Sequence, residues 1–276
     1  MFLNSWEALN QLLIRGLSNP LKLMRLTSQS PDLHSFLRIT AAKKVFRKCA
    51  HTVDVGAGEG WFSIELSQCF NSPILSLAYS EEQYRSLKRN VEALGVSDLV
   101  STGRDDAQTL ASVENGSADQ VLLLDVLEHV EEEASTLKAV NRVLKLGGRL
   151  VLSVPTPFYP EWFGDDFDKT VGHKRHYTVD ALKGKLLSHG FMVQDFFYYT
   201  SGNASKFMKM CYNDLHIWPG EFSFNDGYGL RERFKPVVSI ILLPILAQLS
   251  MLFESYDRRL LHHSSLLVLA VKVENA

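Results

Sequence analysis

At 276 residues the chain has room for one large domain, or for one domain with an appendage. Its 46% hydrophobic and 22% charged residues are an ordinary globular balance, and a net charge of −2 gives no electrostatic case for a nucleic-acid partner. Cys49, Cys69 and Cys211 lie far apart with no C-x-x-C pair, which argues against a disulfide scaffold or a zinc cluster, and no metal is expected.

Residues 1–48 read as helices. Phe2, Trp6, Leu9 and Leu13 recur at helical spacing, and Ser30-Pro31 offers a cap before Leu33, Phe36, Leu37 and Ala41. Trp6, Glu7 and Asn10 interrupt any apolar core a signal peptide would need, so a cytoplasmic protein is expected.

From residue 51 strands and helices alternate. Strands are predicted at His51–Val55, Ile74–Tyr79, about Leu99–Gly103, Ala118–Asp125, Arg149–Val154, Met192–Tyr199 and Ser265–Val273. Ser80 and Gln83 form a capping box, a helix is expected over Glu131–Leu144 with Gly147-Gly148 ending it, and Thr178 caps another. Such alternation predicts an α/β fold with a doubly wound, mostly parallel, seven-stranded sheet. An insertion of about 60 residues precedes the last strand. It opens with an amphipathic helix through Ala204, Phe207, Cys211 and Leu215, and it contains an apolar run at Val237–Phe253. That run is at the lower edge of the roughly 20 residues a membrane span needs, so a buried or membrane-surface helix is expected. The division is a helical cap (1–48), a core (49–200), the insertion (201–263) and the last core strand (264–276).

The loop after the first strand reads Asp54-Val55-Gly56-Ala57-Gly58-Glu59-Gly60-Trp61. A dinucleotide fingerprint would put its third glycine where Trp61 stands, and no Lys-Ser/Thr pair follows to make a P-loop. The pattern D-x-G-x-G-x-G resembles motif I of the class I, Rossmann-like S-adenosylmethionine-dependent methyltransferases. Leu124-Asp125-Val126-Leu127-Glu128-His129-Val130 resembles that family's segment after strand four, and Gly103-Arg104-Asp105-Asp106-Ala107 its adenine-side segment. The 172–178 segment also resembles members found in bacterial cell-surface and polysaccharide pathways.

The resemblance implies S-adenosylmethionine as cofactor and S-adenosylhomocysteine as product. It implies cofactor contacts from Asp54, Gly56, Ala57, Gly58 and Gly60, from Asp106 and Ala107, and from Asp125, Val126 and His129. It also implies that strand seven runs antiparallel between strands five and six. One position departs from the pattern. The acid that would accept from both ribose hydroxyls is Ala78, leaving Tyr79 beside it and Glu81 or Glu82 at the next helix start.

On the acceptor side, His173, His176 or Tyr177 could take a proton from a hydroxyl, with His173 ranked first. Lys174 and Arg175 could instead grip a phosphate or carboxylate, and a plain loop with a helix cap is the bland alternative. The expected activity is in-line methyl transfer to oxygen on a small or lipid-linked acceptor, with peripheral membrane contact through 237–253. The rivals are a methyltransferase-like scaffold without turnover, which Ala78 favours, and an NAD-dependent oxidoreductase, which Trp61 and Ala78 disfavour.

Overall fold

The structure is a computed structural model, and it describes residues 33–209, 249 and 263–274. Seven strands form one sheet: β1 (Thr52–Val55), β2 (Ile74–Ala78), β3 (Val100–Arg104), β4 (Ala118–Leu124), β5 (Leu144–Pro155), β6 (Phe191–Tyr199) and β7 (Ser265–Lys272). Their order is β3-β2-β1-β4-β5-β7-β6. The pairs from β3 to β5 are parallel, and β7 lies antiparallel to both β5 and β6. The implied insertion of the last strand is therefore observed.

The helices among the described residues are α1 (Leu33–Val45), α2 (Trp61–Phe70), α3 (Glu81–Ala93), α4 (Glu133–Val143), α5 (Tyr159–Phe163), α6 (Asp165–Thr170), α7 (Val179–Leu187) and α8 (Gly202–Lys209). β4 is apolar at successive residues because both its faces are covered. Val121 and Leu123 join a core with Leu137 and Val140 of α4 and Leu182 and Leu186 of α7. Leu122 and Leu124 join a core with Leu37, Ala41 and Val45 of α1 on the other face. At that point α1 packs on the sheet.

The largest departure from the expected boundaries is where α4 gives way to β5. α4 stops at Val143, because Leu144 is already extended and pairs with Ala118. The register then shifts so that Arg149 pairs with Gln120, and Lys145–Gly148 bulge out with Gly147 at φ +73°. The glycines thus serve the bulge rather than the helix end. The short helices α5 and α6 carry too few turns for periodicity to announce them.

The predicted helix over residues 2–13 and the Ser30-Pro31 cap lie outside the described residues. So do the insertion beyond Lys209 and, apart from Leu249, the run Val237–Phe253. Among the described residues no helix is long and apolar enough to cross a membrane.

Candidate functional site

The site lies at the carboxyl ends of β1 and β4, where the strand order reverses from one neighbour to the other. Open parallel sheets bind ligands at such switch points. Gly56, Gly58 and Gly60 all have positive φ, at +69°, +55° and +88°. They turn the chain from β1 into α2, and the turn is tied to the next strand by Ala57 N–H donating to Leu77 O at 2.9 Å. A cleft of ≈ 200 Å³ opens there, lined by Arg38, Asp54, Gly56–Glu59, Trp61, Phe62, Leu124 and Asp125. A whole small-molecule site is typically about 300–1,000 Å³, so this cleft is smaller than a complete site.

Asp54 is almost fully buried, and Ser63 Oγ donates to its Oδ2 at 2.6 Å. Burial pushes its carboxyl up to about 7, with the Ser63 hydrogen bond opposing. Asp125 closes the cleft from β4. It holds a left-handed backbone at φ 52°, fixed by its N–H donating to Ser153 O at 3.1 Å and by Ser153 Oγ donating to its Oδ1 at 2.5 Å. Strain of this kind persists only where the surroundings over-determine it. Burial pushes the Asp125 carboxyl up, but the Arg38 guanidinium, followed by His34 and Ser153, holds it below its ordinary value. Arg38 forms an ion pair with Asp125 and lies over the Phe62 ring, 5.3 Å from its centroid. Two carboxylates, a guanidinium and a glycine turn at a helix start complement an α-amino-acid head, a cation beside an anion.

Gly56 and Val126 touch closely enough that a Cβ on Gly56 would come within 2.6 Å of Val126 Cγ2. The two loops named from the resemblance are therefore packed together. Towards β2, Ala78 is fully buried with Ile64, Leu87, Val91, Val96 and Val100. Tyr79 is 67% exposed, and Glu81 is ion-paired with Arg85 at 2.9 Å and Arg104 at 3.2 Å. Asp105 is spent on its own turn, accepting from the N–H groups of Asp106, Ala111 and Ser112 at 2.8, 3.1 and 2.8 Å. Burial opposes ionisation of Asp105, but these bonds and the Ser112 hydroxyl hold its carboxyl low. Asp106 Oδ1 accepts from Gln108 N–H at 2.9 Å, and Ala107 is buried.

On the far side of Asp125 stand three histidines. His173 Nδ1 and His176 Nε2 both meet Asp168 Oδ1, at 2.7 and 2.9 Å. His129 Nδ1 meets Gly172 O at 3.1 Å, and the His129 and His173 rings are 5.1 Å apart. Tyr159 packs edge-on to His173 at 4.7 Å. Desolvation lowers the proton affinity of both His129 and His173, although the Asp168 bond raises that of His173. Tyr177 is buried instead, its hydroxyl donating to Glu133 Oε2 at 2.8 Å, and burial pushes the phenol up to about 12. That is poor chemistry for a base.

Lys174 pairs with Glu131. The Arg175 guanidinium donates to the carbonyls of Val130 and Glu131 at 2.6 and 2.5 Å, fastening this segment to the loop after β4. Sequence reasoning missed Arg38 and Asp168. Nothing in the glycine motif points 16 residues back to Arg38. Asp168 sits in an acidic stretch just before His173, a signal that was there to be used.

Residues 53–152 match a family model described as a methyltransferase domain. A ubiquinone biosynthesis O-methyltransferase of Xanthomonas oryzae pv. oryzae (strain PXO99A) is 29% identical over 104 residues, which cover 38% of this chain. The match spans 42% of that relative's length. A solved structure of a putative sarcosine dimethylglycine methyltransferase from Galdieria sulphuraria is similar at TM-score 0.58 and 13% identity, covering 86% of this chain and 83% of that one. The [4+2]-cyclase SpnF is similar at TM-score 0.59 and 18% identity, with coverage of 86% and 80%. Likeness at these identities shows the fold alone.

Proposed function

We propose that this chain, whose residues 53–152 form a class I S-adenosylmethionine-dependent methyltransferase domain, transfers a methyl group to a hydroxyl oxygen. The observation that carries the reading is the cleft itself. Asp54, Asp125 and Arg38 meet at the glycine turn and match the charges of the cofactor's methionyl ammonium and carboxylate. The open space beside Gly58, where a Cβ would meet nothing within 4 Å, is room for the cofactor to lie against bare backbone. We assign Tyr79, Glu81, Asp106 and Ala107 to the nucleoside side of the cofactor. His129 and Val126 belong to the loop that packs over the glycines.

When bound, the cofactor supplies an activated sulfonium methyl, so the protein's main task is alignment. The remaining task is to receive the acceptor's proton. His173 is held by Asp168 on one ring nitrogen, which orients the imidazole as a base needs. His176 shares the same carboxylate oxygen, and Tyr177 serves to anchor the segment on Glu133. We expect His173→Gln to lower kcat by about 10²–10⁴-fold while leaving S-adenosylhomocysteine affinity unchanged. Single-turnover assays beside calorimetry would check this.

The testing experiment is methyl transfer from labelled S-adenosylmethionine to a panel of hydroxyl, amine and thiol acceptors, the products being located by mass spectrometry. Label on oxygen supports the reading, and label confined to nitrogen or sulfur refutes it. The relative from Xanthomonas oryzae is named as an O-methyltransferase, which supports oxygen as the acceptor atom. The finer form of the proposal, a lipid-linked acceptor met at a membrane surface, is carried by the apolar composition of 237–253 alone. A binding-only scaffold is the second reading. Ala78 favours it, because its side chain offers no acceptor to a ribose.

A further inference from the structure

His34 stands on α1 one turn before Arg38, and Arg38 Nη2 lies 2.9 Å from His34 Nδ1. A guanidinium can only donate, so Nδ1 offers its lone pair and carries no proton. The neutral imidazole then holds its hydrogen on Nε2, which donates to Ser265 Oγ at 2.8 Å. Ser265 is the first residue of β7, paired with Pro155 of β5 and Tyr199 of β6. The tautomer of His34 is thus fixed from both ends.

The same Arg38 nitrogen forms the ion pair with Asp125 Oδ2. Its two hydrogens are divided, one to the carboxylate and one to the imidazole. The guanidinium is held from two sides while it lines the cofactor cleft. Three rings pack around His34, with centroids 5.9 Å away at Tyr159, 6.0 Å at Phe163 and 5.8 Å at Tyr199. Packing of this kind locks the rotamer of a supporting side chain.

We infer that His34 is a positioning residue for the cofactor: as a neutral imidazole it aims Arg38 at the methionyl carboxylate. The inference rests on the S-adenosylmethionine reading of the cleft. An arginine held by Asp125 alone could turn about that contact, and the ligand would have to order it. Held by His34 as well, it is ordered beforehand, and less binding energy is lost. Both residues lie on α1, outside the matched stretch 53–152, so the glycine motif gives no sign of them.

A pH dependence follows. Facing His34 are Arg38 on its own helix, Asp125 just after β4, Tyr199 on β6 and Tyr159 on α5, with uncharged Ser265 on β7. Asp125 attracts a charged imidazole and Arg38 repels one. The added proton would sit on Nδ1, the atom that accepts from Arg38, and two donors would then face each other. Affinity for the cofactor should fall as pH drops through the histidine range. Asp54 also titrates there, so the readout compares the wild type with a variant at each pH.

The test is calorimetry on the full chain with S-adenosylhomocysteine and with S-adenosyl-3-thiopropylamine, the same molecule without its carboxylate. At pH 8, His34→Leu should weaken S-adenosylhomocysteine binding about 10-fold, the low end for a hydrogen bond to a charged group, and leave the analogue unchanged. His34→Asn keeps an oxygen near the place of Nδ1 but cannot gain a proton. It should match the wild type at pH 8 and bind S-adenosylhomocysteine several-fold more tightly than the wild type at about pH 5.5. Thermal melts verify folding, and the Asn variant carries the test if the Leu variant does not fold. Equal losses for both ligands in His34→Leu, no loss for either, or a wild-type-to-Asn ratio that stays constant with pH would overturn the inference. A folded wild type that binds neither ligand would instead remove the cofactor reading, and the inference with it.

Discussion

Asp54→Asn is expected to raise the melting temperature of the ligand-free protein at pH 8 and to weaken S-adenosylhomocysteine binding. The carboxyl is buried at the end of β1, and its folded pKa rises from 3.8 to about 7. An acid whose folded pKa exceeds its unfolded value holds its proton more tightly when folded. Its contribution to stability is whole below the unfolded value and is lost as pH rises through the folded one. At pH 8 the wild type has lost all of it, a shift of about three units at about 1.4 kcal/mol each as an upper bound. Asn cannot ionise, yet it keeps an oxygen for the Ser63 hydroxyl. The variant should therefore melt several degrees higher at pH 8, at about 2–4 °C per kcal/mol for a chain of this size. The gap should narrow towards pH 5. Losing a charged partner for the ammonium should weaken binding roughly 10–100-fold. Matching melts at pH 8, or unchanged affinity, would remove Asp54 from the role assigned to it.

Gly60→Ala should cost the fold more than Gly58→Ala does. Gly60 caps α2 at φ +88°, and a Cβ there would overlap Leu87 Cδ1 in the core beneath α3. The left-handed backbone costs about 1–2 kcal/mol for a residue with a Cβ. Overpacking a core adds about 1–3 kcal/mol. The sum is a large part of the 5–15 kcal/mol typical of a whole domain. Gly58→Ala has the same backbone penalty but no neighbour to strike, so it should lose only the smaller amount. Urea unfolding of the two variants would show the difference. Equal midpoints would mean that Leu87 yields freely.

This contrast shows what the sequence could and could not say. D-x-G-x-G-x-G announced a turn and a ligand, but not that Gly60 answers to Leu87, Gly56 to Val126 and Gly58 to open space. Strand periodicity and the apolar run Val121–Leu124 were enough to place the sheet, because a doubly covered strand has no polar face to hide. The bulge at Lys145–Gly148 was not legible, since two glycines after a helix look the same whether they end it or bend the next strand. At the site, the contiguous motifs around Asp54 and Asp125 could be read. Arg38 and Asp168 could not, because their roles arise where separate segments meet. Arg175 is, from sequence, one alternative grip for a phosphate or carboxylate, and folding engages its guanidinium with the carbonyls of Val130 and Glu131.

The central claim is that the cleft at Gly58 holds S-adenosylmethionine, and calorimetric titration of the purified chain with S-adenosylhomocysteine tests it most directly. NAD serves as the control ligand and Gly58→Arg as the control protein, since a Cβ at this position would meet no neighbour within 4 Å. The account predicts micromolar binding of S-adenosylhomocysteine by the wild type, none of NAD, and loss of binding in a folded Gly58→Arg. An absence of S-adenosylhomocysteine binding by the folded wild type, or binding that Gly58→Arg leaves intact, would contradict it.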